Sequence, residues 1–129
     1  MNKRHILIVD DDDVTCKTLS RVLVNENFKV SCTDSGQEAL KIVSDNINSD
    51  DSIFLLITDL IMPKMQGDEL VREIKKIDKN LRIIVITAHS YDELKLIRDN
   101  MNLEILEKPF GVEKLINCIN RQKEFSYKK

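Results

Sequence analysis

No stretch of this chain is apolar over the ~18 residues that a membrane helix needs. Charge of one sign is also missing: 20 Lys and Arg stand against 22 Asp and Glu, for a net charge of -2. That balance offers no basis for a nucleic-acid surface. Lys3-Arg4 ahead of Ile6-Leu7-Ile8-Val9 imitates the start of a secretory signal, but the apolar part ends after four residues at Asp10, which excludes that reading. Cysteine is scarce. Cys16, Cys32 and Cys118 are widely spaced, odd in number and form no C-x-x-C pair. They are expected to be reduced and to act as small hydrophobes, which places the chain in the cytoplasm. There is no internal repeat, no low-complexity segment and no linker to a second unit. The 129 residues are expected to form a single domain, residues 1–129, with a core over about 5–120 and a polar tail at 121–129. That length can bury a core without disulfides or structural metal.

What is present is alternation. Ile6-Leu7-Ile8-Val9 is a short buried strand that runs into Asp10-Asp11-Asp12-Asp13. Cys16, Leu19, Val22 and Leu23 follow at helical spacing, with Asp12 or Asp13 available as the N-cap. Residues 28–32 form a weaker strand. Ser35-Gly36-Gln37-Glu38 has the form of a capping box ahead of Ala39, Leu40, Val43 and Ile47. Ile53-Phe54-Leu55-Leu56-Ile57-Thr58-Asp59 is too β-branched for a helix and reads as a central strand buried on both faces. Leu70, Val71, Ile74 and Ile77 mark a third helix, and Ile83-Ile84-Val85-Ile86 a fourth strand. Leu94, Ile97 and Met101 mark a fourth helix, residues 104–107 a fifth strand, and Val112, Leu115, Ile116 and Ile119 a last helix. Strand and helix alternate five times, which predicts an α/β fold: a doubly wound parallel sheet with helices on both faces.

In such a sheet the C-terminal strand ends meet on one rim, where ligands bind. Asp10-Asp11, Asp59, Thr87 and Lys108 all fall at strand ends. Each alone is uninformative: an acidic run after a strand caps helices, a lone Asp caps a loop, and a Lys before Pro faces solvent. Together they make a set. Two carboxylates about 4 Å apart repel by roughly 4 kcal/mol at an effective dielectric near 20. Either one pKa rises or a cation binds. Oxygen ligands without His or Cys favour Mg²⁺, or alternatively Mn²⁺, over Zn²⁺. Phosphoryl transfer to a carboxylate needs that cation, a fixed ammonium and a donor hydroxyl.

These motifs, Ile-Leu-Ile-Val-Asp10-Asp11, Ile-Thr-Asp59-Leu-Ile-Met62-Pro63-x-Met65-x-Gly67, Ile-Thr87-Ala88-His89 and Lys108-Pro109-Phe110, resemble the receiver domain of two-component response regulators. The likeness runs from about His5 to Ile119. It implies a flavodoxin-like five-stranded sheet in order 2-1-3-4-5 with five helices. It implies that Asp59 accepts a phosphoryl group from a histidine kinase or a phosphotransfer protein. Asp11, Asp59 and the backbone carbonyl of Ile61 would hold Mg²⁺, with Asp10 as an outer acid at the same metal. Thr87 would bind the phosphoryl group through its hydroxyl and Lys108 through its ammonium. The Lys108–Pro109 bond would be cis. The switched surface would be the fourth helix, fifth strand and last helix, where phosphorylation-dependent homodimers or an unidentified output partner would meet the domain. Leu94, Ile105 and Leu115 lie near it, and the spacing favours core positions for them. The resemblance implies a switch and not an enzyme, acting only on its own phosphoryl group.

Three positions depart from the family pattern. Ile105 stands where an aromatic is usual, Met101-Asn102 where Gly-Ala is usual, and Gln66 where Asp is usual. Ile61 and His89 flank the phosphoryl position. Ile61 holds no in-line water, which implies slow hydrolysis; His89 either faces solvent or assists water, with solvent the favoured reading. His5 is expected at the surface. Other readings differ in their needs. A pseudo-receiver would lack an acid, the Thr or the Lys. An aspartyl phosphohydrolase would need a second acid where Ile61 stands. A flavin site would need a phosphate cradle where the first loop is acidic.

Overall fold

Ile6, Leu7, Ile8 and Val9 are all essentially excluded from solvent in the computed structural model, which describes residues 3–59, 67–87, 103–108 and 110–127. They form β1 (His5–Val9), buried at every position. The remaining elements in order are α1 (Asp13–Asn25), β2 (Lys29–Thr33), α2 (Gly36–Asn46), β3 (Ile53–Asp59), α3 (Gly67–Ile77), β4 (Arg82–Thr87), β5 (Leu103–Glu107) and α4 (Val112–Tyr127). The five strands make one sheet in order β2-β1-β3-β4-β5, and every pairing is parallel.

Why continuous apolar strands suit this sheet follows from side-chain alternation, which sends successive residues to opposite faces. Leu7, Val9, Leu56, Ile83 and Val85 pack with Ala39 and Val43 of α2 and Leu70, Val71 and Ile74 of α3. Ile6, Ile8, Leu55, Ile57, Ile84 and Ile86 pack with Leu19 and Leu23 of α1 and Leu115 and Ile119 of α4. In β1, β3 and β4 both faces are covered, so a polar residue inside these strands would be buried wherever it pointed, and their polar residues stand at the ends instead.

Caps fix where the helices start. Asp12 Oδ1 accepts the Val14 N–H at 3.0 Å, so Asp12 is the N-cap of α1 and Asp13 lies in its first turn. Ser35 Oγ accepts the Glu38 N–H at 3.2 Å. The reciprocal half of the expected capping box is replaced: the Ser35 N–H donates to Thr33 Oγ1 at 3.1 Å. α1 ends with Asn27 at φ 70°, a left-handed conformation that Asn tolerates.

Four sequence expectations need correction or restriction. Cys16 and Cys32 are joined in a disulfide, while Cys118 is free and buried; only Cys118 fits the reduced, hydrophobic role. Its thiol donates to Glu104 Oε2 at 2.8 Å, and burial first, then that carboxylate, push its pKa up to about 12. His5 is not on the surface but 4% exposed. The last helix continues through Tyr127, because residues 121–127 contain neither Gly nor Pro to stop it. Four helices are seen among the described residues; the predicted fourth one, with Leu94, Ile97 and Met101, falls outside them. Leu115 is fully buried and Ile105 packs against the core, as their spacing suggested.

Candidate functional site

β1 and β3 are neighbours, while the chain leaves β1 toward β2 on the other side. The C-terminal ends of β1 and β3 therefore border the point where connections diverge, the place where open α/β sheets bind ligands. Asp10 follows β1 directly and Asp59 ends β3. One carboxylate oxygen each from Asp10, Asp11 and Asp59 falls within 4.8 Å of the others.

Each acid is held differently. Asp10 is 3% exposed. Its Oδ1 accepts the Asp12 N–H at 2.8 Å, and its own N–H donates to the Thr33 carbonyl at 3.1 Å. The Asp10 carboxyl titrates above its usual 3.8: burial is the main cause, the Asp12 N–H and the Lys108 ammonium oppose it, and the Asp59 and Asp11 charges reinforce it. Asp11 is exposed. Asp59 has a side chain 15% exposed, and the Thr58 hydroxyl donates to the Asp59 carbonyl at 3.0 Å. Asp12, fully exposed, titrates below 3.8, first because the Thr15 hydroxyl donates to it.

The opposite wall comes from β4 and β5. Lys108 Nζ donates to Asp59 Oδ2 at 3.2 Å, bridging residues 49 apart in sequence. Thr87 is 1% exposed, and its carbonyl accepts the Lys108 N–H at 2.8 Å. One backbone hydrogen bond thus places the hydroxyl-bearing residue and the ammonium-bearing residue on the same wall.

Three carboxylates and one ammonium leave the cluster negative. Its chemistry fits a hard divalent cation: the donors are carboxylate oxygens, and three acids stand against one ammonium. The oxygens of an octahedral Mg²⁺ lie at most about 4.2 Å apart, twice its ~2.1 Å bond, so the observed spread of up to 4.8 Å needs only side-chain adjustment. Asp10, Asp11 and Asp59 can hold such an ion.

The chain matches the response regulator receiver domain family over residues 6–120. It belongs to that family. A response regulator receiver protein of Anaeromyxobacter sp. (strain Fw109-5) is 35% identical over 115 residues, which are 88% of this chain and 46% of that protein. Among solved structures, a receiver domain from Clostridium thermocellum is 31% identical with a TM-score of 0.79, covering 95% of this chain and 98% of the other. The chemotaxis protein CheY4 of Vibrio cholerae is 25% identical with a TM-score of 0.81, covering 92% and 98%. This chain spans about half the length of the curated relatives it matches.

Of the residues singled out in the sequence, Asp10, Asp11, Asp59, Thr87 and Lys108 converge on this receiver rim. Ile61, Met62, Pro63, Met65, Gln66, Ala88, His89 and Pro109 lie outside the described residues, as do the Ile61 carbonyl ligand and the cis bond expected of them. Three supports escaped the sequence reading. The Thr33 carbonyl and the Thr58 hydroxyl tie the backbones of Asp10 and Asp59, and ordinary strand threonines carry no local sign of such a task. The third is the Cys16–Cys32 bond, which borders the same cleft as Asp10 and Asp11.

Proposed function

We propose that this receiver domain is a phosphorylation switch in which Asp59 takes a phosphoryl group from the phosphohistidine of a histidine kinase or phosphotransfer protein. A carboxylate oxygen of Asp59 forms the new P–O bond while the P–N bond breaks, and the departing imidazole keeps that electron pair and takes up a proton. Asp10, Asp11, Asp59 and the Ile61 carbonyl would hold Mg²⁺, with Mn²⁺ as the alternative. Bound there, the ion offsets charge on the phosphoryl oxygens. Lys108 loses part of its hold on Asp59 and pairs with a phosphoryl oxygen; the Thr87 hydroxyl turns to the phosphoryl group. The single observation that carries this reading is the Asp59 carboxylate set between two further acids and the Lys108 ammonium.

Movement of Thr87 would then repack the surface formed by the segment after β4, β5 and α4, which would receive an output partner or a second copy of the chain. The domain would touch no nucleic acid itself and would catalyse nothing beyond gain and slow loss of its own phosphoryl group. A cytoplasmic setting fits this donor. No helix among the described residues is long and apolar enough to cross a membrane.

Incubation with acetyl phosphate and Mg²⁺, followed by intact mass, tests the reading. The expected result is one added phosphoryl group, absent in Asp59→Asn. No adduct would indicate a domain that uses the fold without phosphorylation, and steady turnover without an adduct would indicate a phosphohydrolase.

A further inference from the structure

The Cys16–Cys32 disulfide has no part in that mechanism, yet both residues line the open cleft of about 280 Å³ that Asp10, Asp11, Asp13 and Thr33 also border. The two cysteines sit in contrasting places. Cys16 is on α1, 6% exposed and within the core cluster between α1, α4 and the sheet. Cys32 is the exposed penultimate residue of β2, an edge strand with a neighbour on one side only. Ser20 Oγ lies 3.2 Å from Cys32 Sγ, and its hydroxyl is the donor because a bonded sulfur has no hydrogen.

Both cysteines are mechanically connected to the acid loop. The Cys16 N–H donates to the Asp12 carbonyl at 3.1 Å, and the Asp12 N–H donates to Asp10 Oδ1 at 2.8 Å. On the other side Cys32 precedes Thr33, whose carbonyl accepts the Asp10 N–H at 3.1 Å. Two short paths, one through α1 and one through β2, therefore end on Asp10. The disulfide closes them into a ring.

We propose that Cys16 and Cys32 are a reversible thiol–disulfide modification site whose state sets the divalent-cation affinity of the neighbouring acids. The metal half of this inference rests on the function proposed above. In the oxidising direction the Cys32 thiolate attacks one sulfur of a low-molecular-weight disulfide. The first small thiolate leaves and takes up the proton that Cys32 gave up. The Cys16 thiolate then attacks the Cys32 sulfur, expelling the second small thiolate, which takes up the Cys16 proton. Two electrons pass from the cysteine pair to the small disulfide, which ends as two thiols. Reduction is the reverse, and begins at Cys32, the more exposed of the two residues. Disulfides that persist in reducing compartments are usually transient or redox-sensing, which reconciles this bond with a cytoplasmic switch. With the bond closed, the loop from Asp10 to Asp12 is fixed from both sides, and a preorganised site binds more tightly than one that must be ordered. The oxidised form is the tighter binder.

The test equilibrates the full chain in buffers of reduced and oxidised glutathione, with and without saturating Mg²⁺. Alkylation and peptide mass read the oxidised fraction, and titration with Mg²⁺ alone reads affinity in each form. The expected result is Mg²⁺ binding tighter in the oxidised form by about fivefold or more, the lower end of common coupling. Linkage then requires saturating Mg²⁺ to shift the oxidation equilibrium by the same factor. Cys32→Ser, at an exposed position, should bind Mg²⁺ like the reduced chain whatever the buffer, and Cys118→Ser should behave as wild type. Full alkylation of both cysteines after equilibration with oxidised glutathione would overturn the proposal. So would equal affinities in the two forms, leaving the proposed function intact. No Mg²⁺ binding in either form would overturn both.

Discussion

At the N-terminal rim of the sheet charged and polar groups meet individual partners, whereas at the C-terminal rim three acids gather with one described ammonium. At the first rim the His5 Nδ1–H donates to the Asp51 carbonyl at 2.8 Å. Nε2 on the other side of the ring is hydrogen-bonded to the Ser31 hydroxyl at 2.7 Å. Lys29 pairs with Asp51 at 2.6 Å, and Arg4 sits over the Phe54 ring at 4.5 Å. At the second rim three acids converge with Lys108 as the ammonium among them, and Asp10 is buried with a raised pKa. The same strands connect both ends, only about 17 Å apart for five residues. What differs is the purpose that each arrangement can serve. Matched polar groups stabilise, whereas unbalanced charge costs stability and is found where an ion or a reacting group will complete it.

The largest expected difference between the rims is in chemistry. Lys108→Ala removes the ammonium aimed at Asp59 and should slow phosphorylation by acetyl phosphate by about 10²-fold, in the range for loss of one charge-stabilising donor. His5→Ala should leave that rate unchanged. An equal loss from both would erase the distinction between the two ends.

The next largest is in stability. His5→Ala leaves the Ser31 hydroxyl and Asp51 carbonyl without their shared partner, and should lower unfolding free energy by about 1–3 kcal/mol, read from urea denaturation. An unchanged midpoint would mean that the buried imidazole contributes nothing and that the N-terminal rim is not the stabilising one.

Asp10→Asn should give the smallest effect, of opposite sign. Because burial raises the Asp10 pKa above 3.8, the folded chain holds this proton over a pH range in which the unfolded chain has released it. Stability from Asp10 is therefore greatest below that usual value and declines as pH rises toward the folded value. Without metal, Asp10→Asn should be more stable than wild type at neutral pH, with the advantage shrinking in acid. Saturating Mg²⁺ should reduce or reverse it, since the ion stabilises the form that binds it. Urea midpoints across pH check this; a difference independent of pH would mean that burial does not raise the Asp10 pKa.

How much of this was legible beforehand depends on range. β1, β3 and β4 announce themselves because a strand covered on both faces must be apolar nearly throughout, and that is visible in four or five consecutive letters. Asp12 as a cap was readable, since capping acts within two residues. Asp10, Asp11, Asp59, Thr87 and Lys108 were readable as a set only because the strand-end rule gathers them, aided by the family resemblance. The burial of His5 is not legible, because one polar letter ahead of an apolar run gives no sign that its ring will bond to Asp51 and Ser31. The pairing of Cys16 and Cys32 is invisible for the same reason: their 16-residue separation says nothing of the α1–β2 packing that brings them together.

From the chain of letters alone came which residues leave water and which chemical groups stand at the ends of strands, because hydrophobic burial and capping act on patterns a few residues long. The folded molecule alone decided partnership: Lys108 with Asp59, His5 with Ser31, Cys16 with Cys32. Those contacts join residues 49, 26 and 16 positions apart. Such pairs form because packing the sheet and its helices brings distant groups within a few ångströms, and a contact of that kind leaves no periodic trace in sequence.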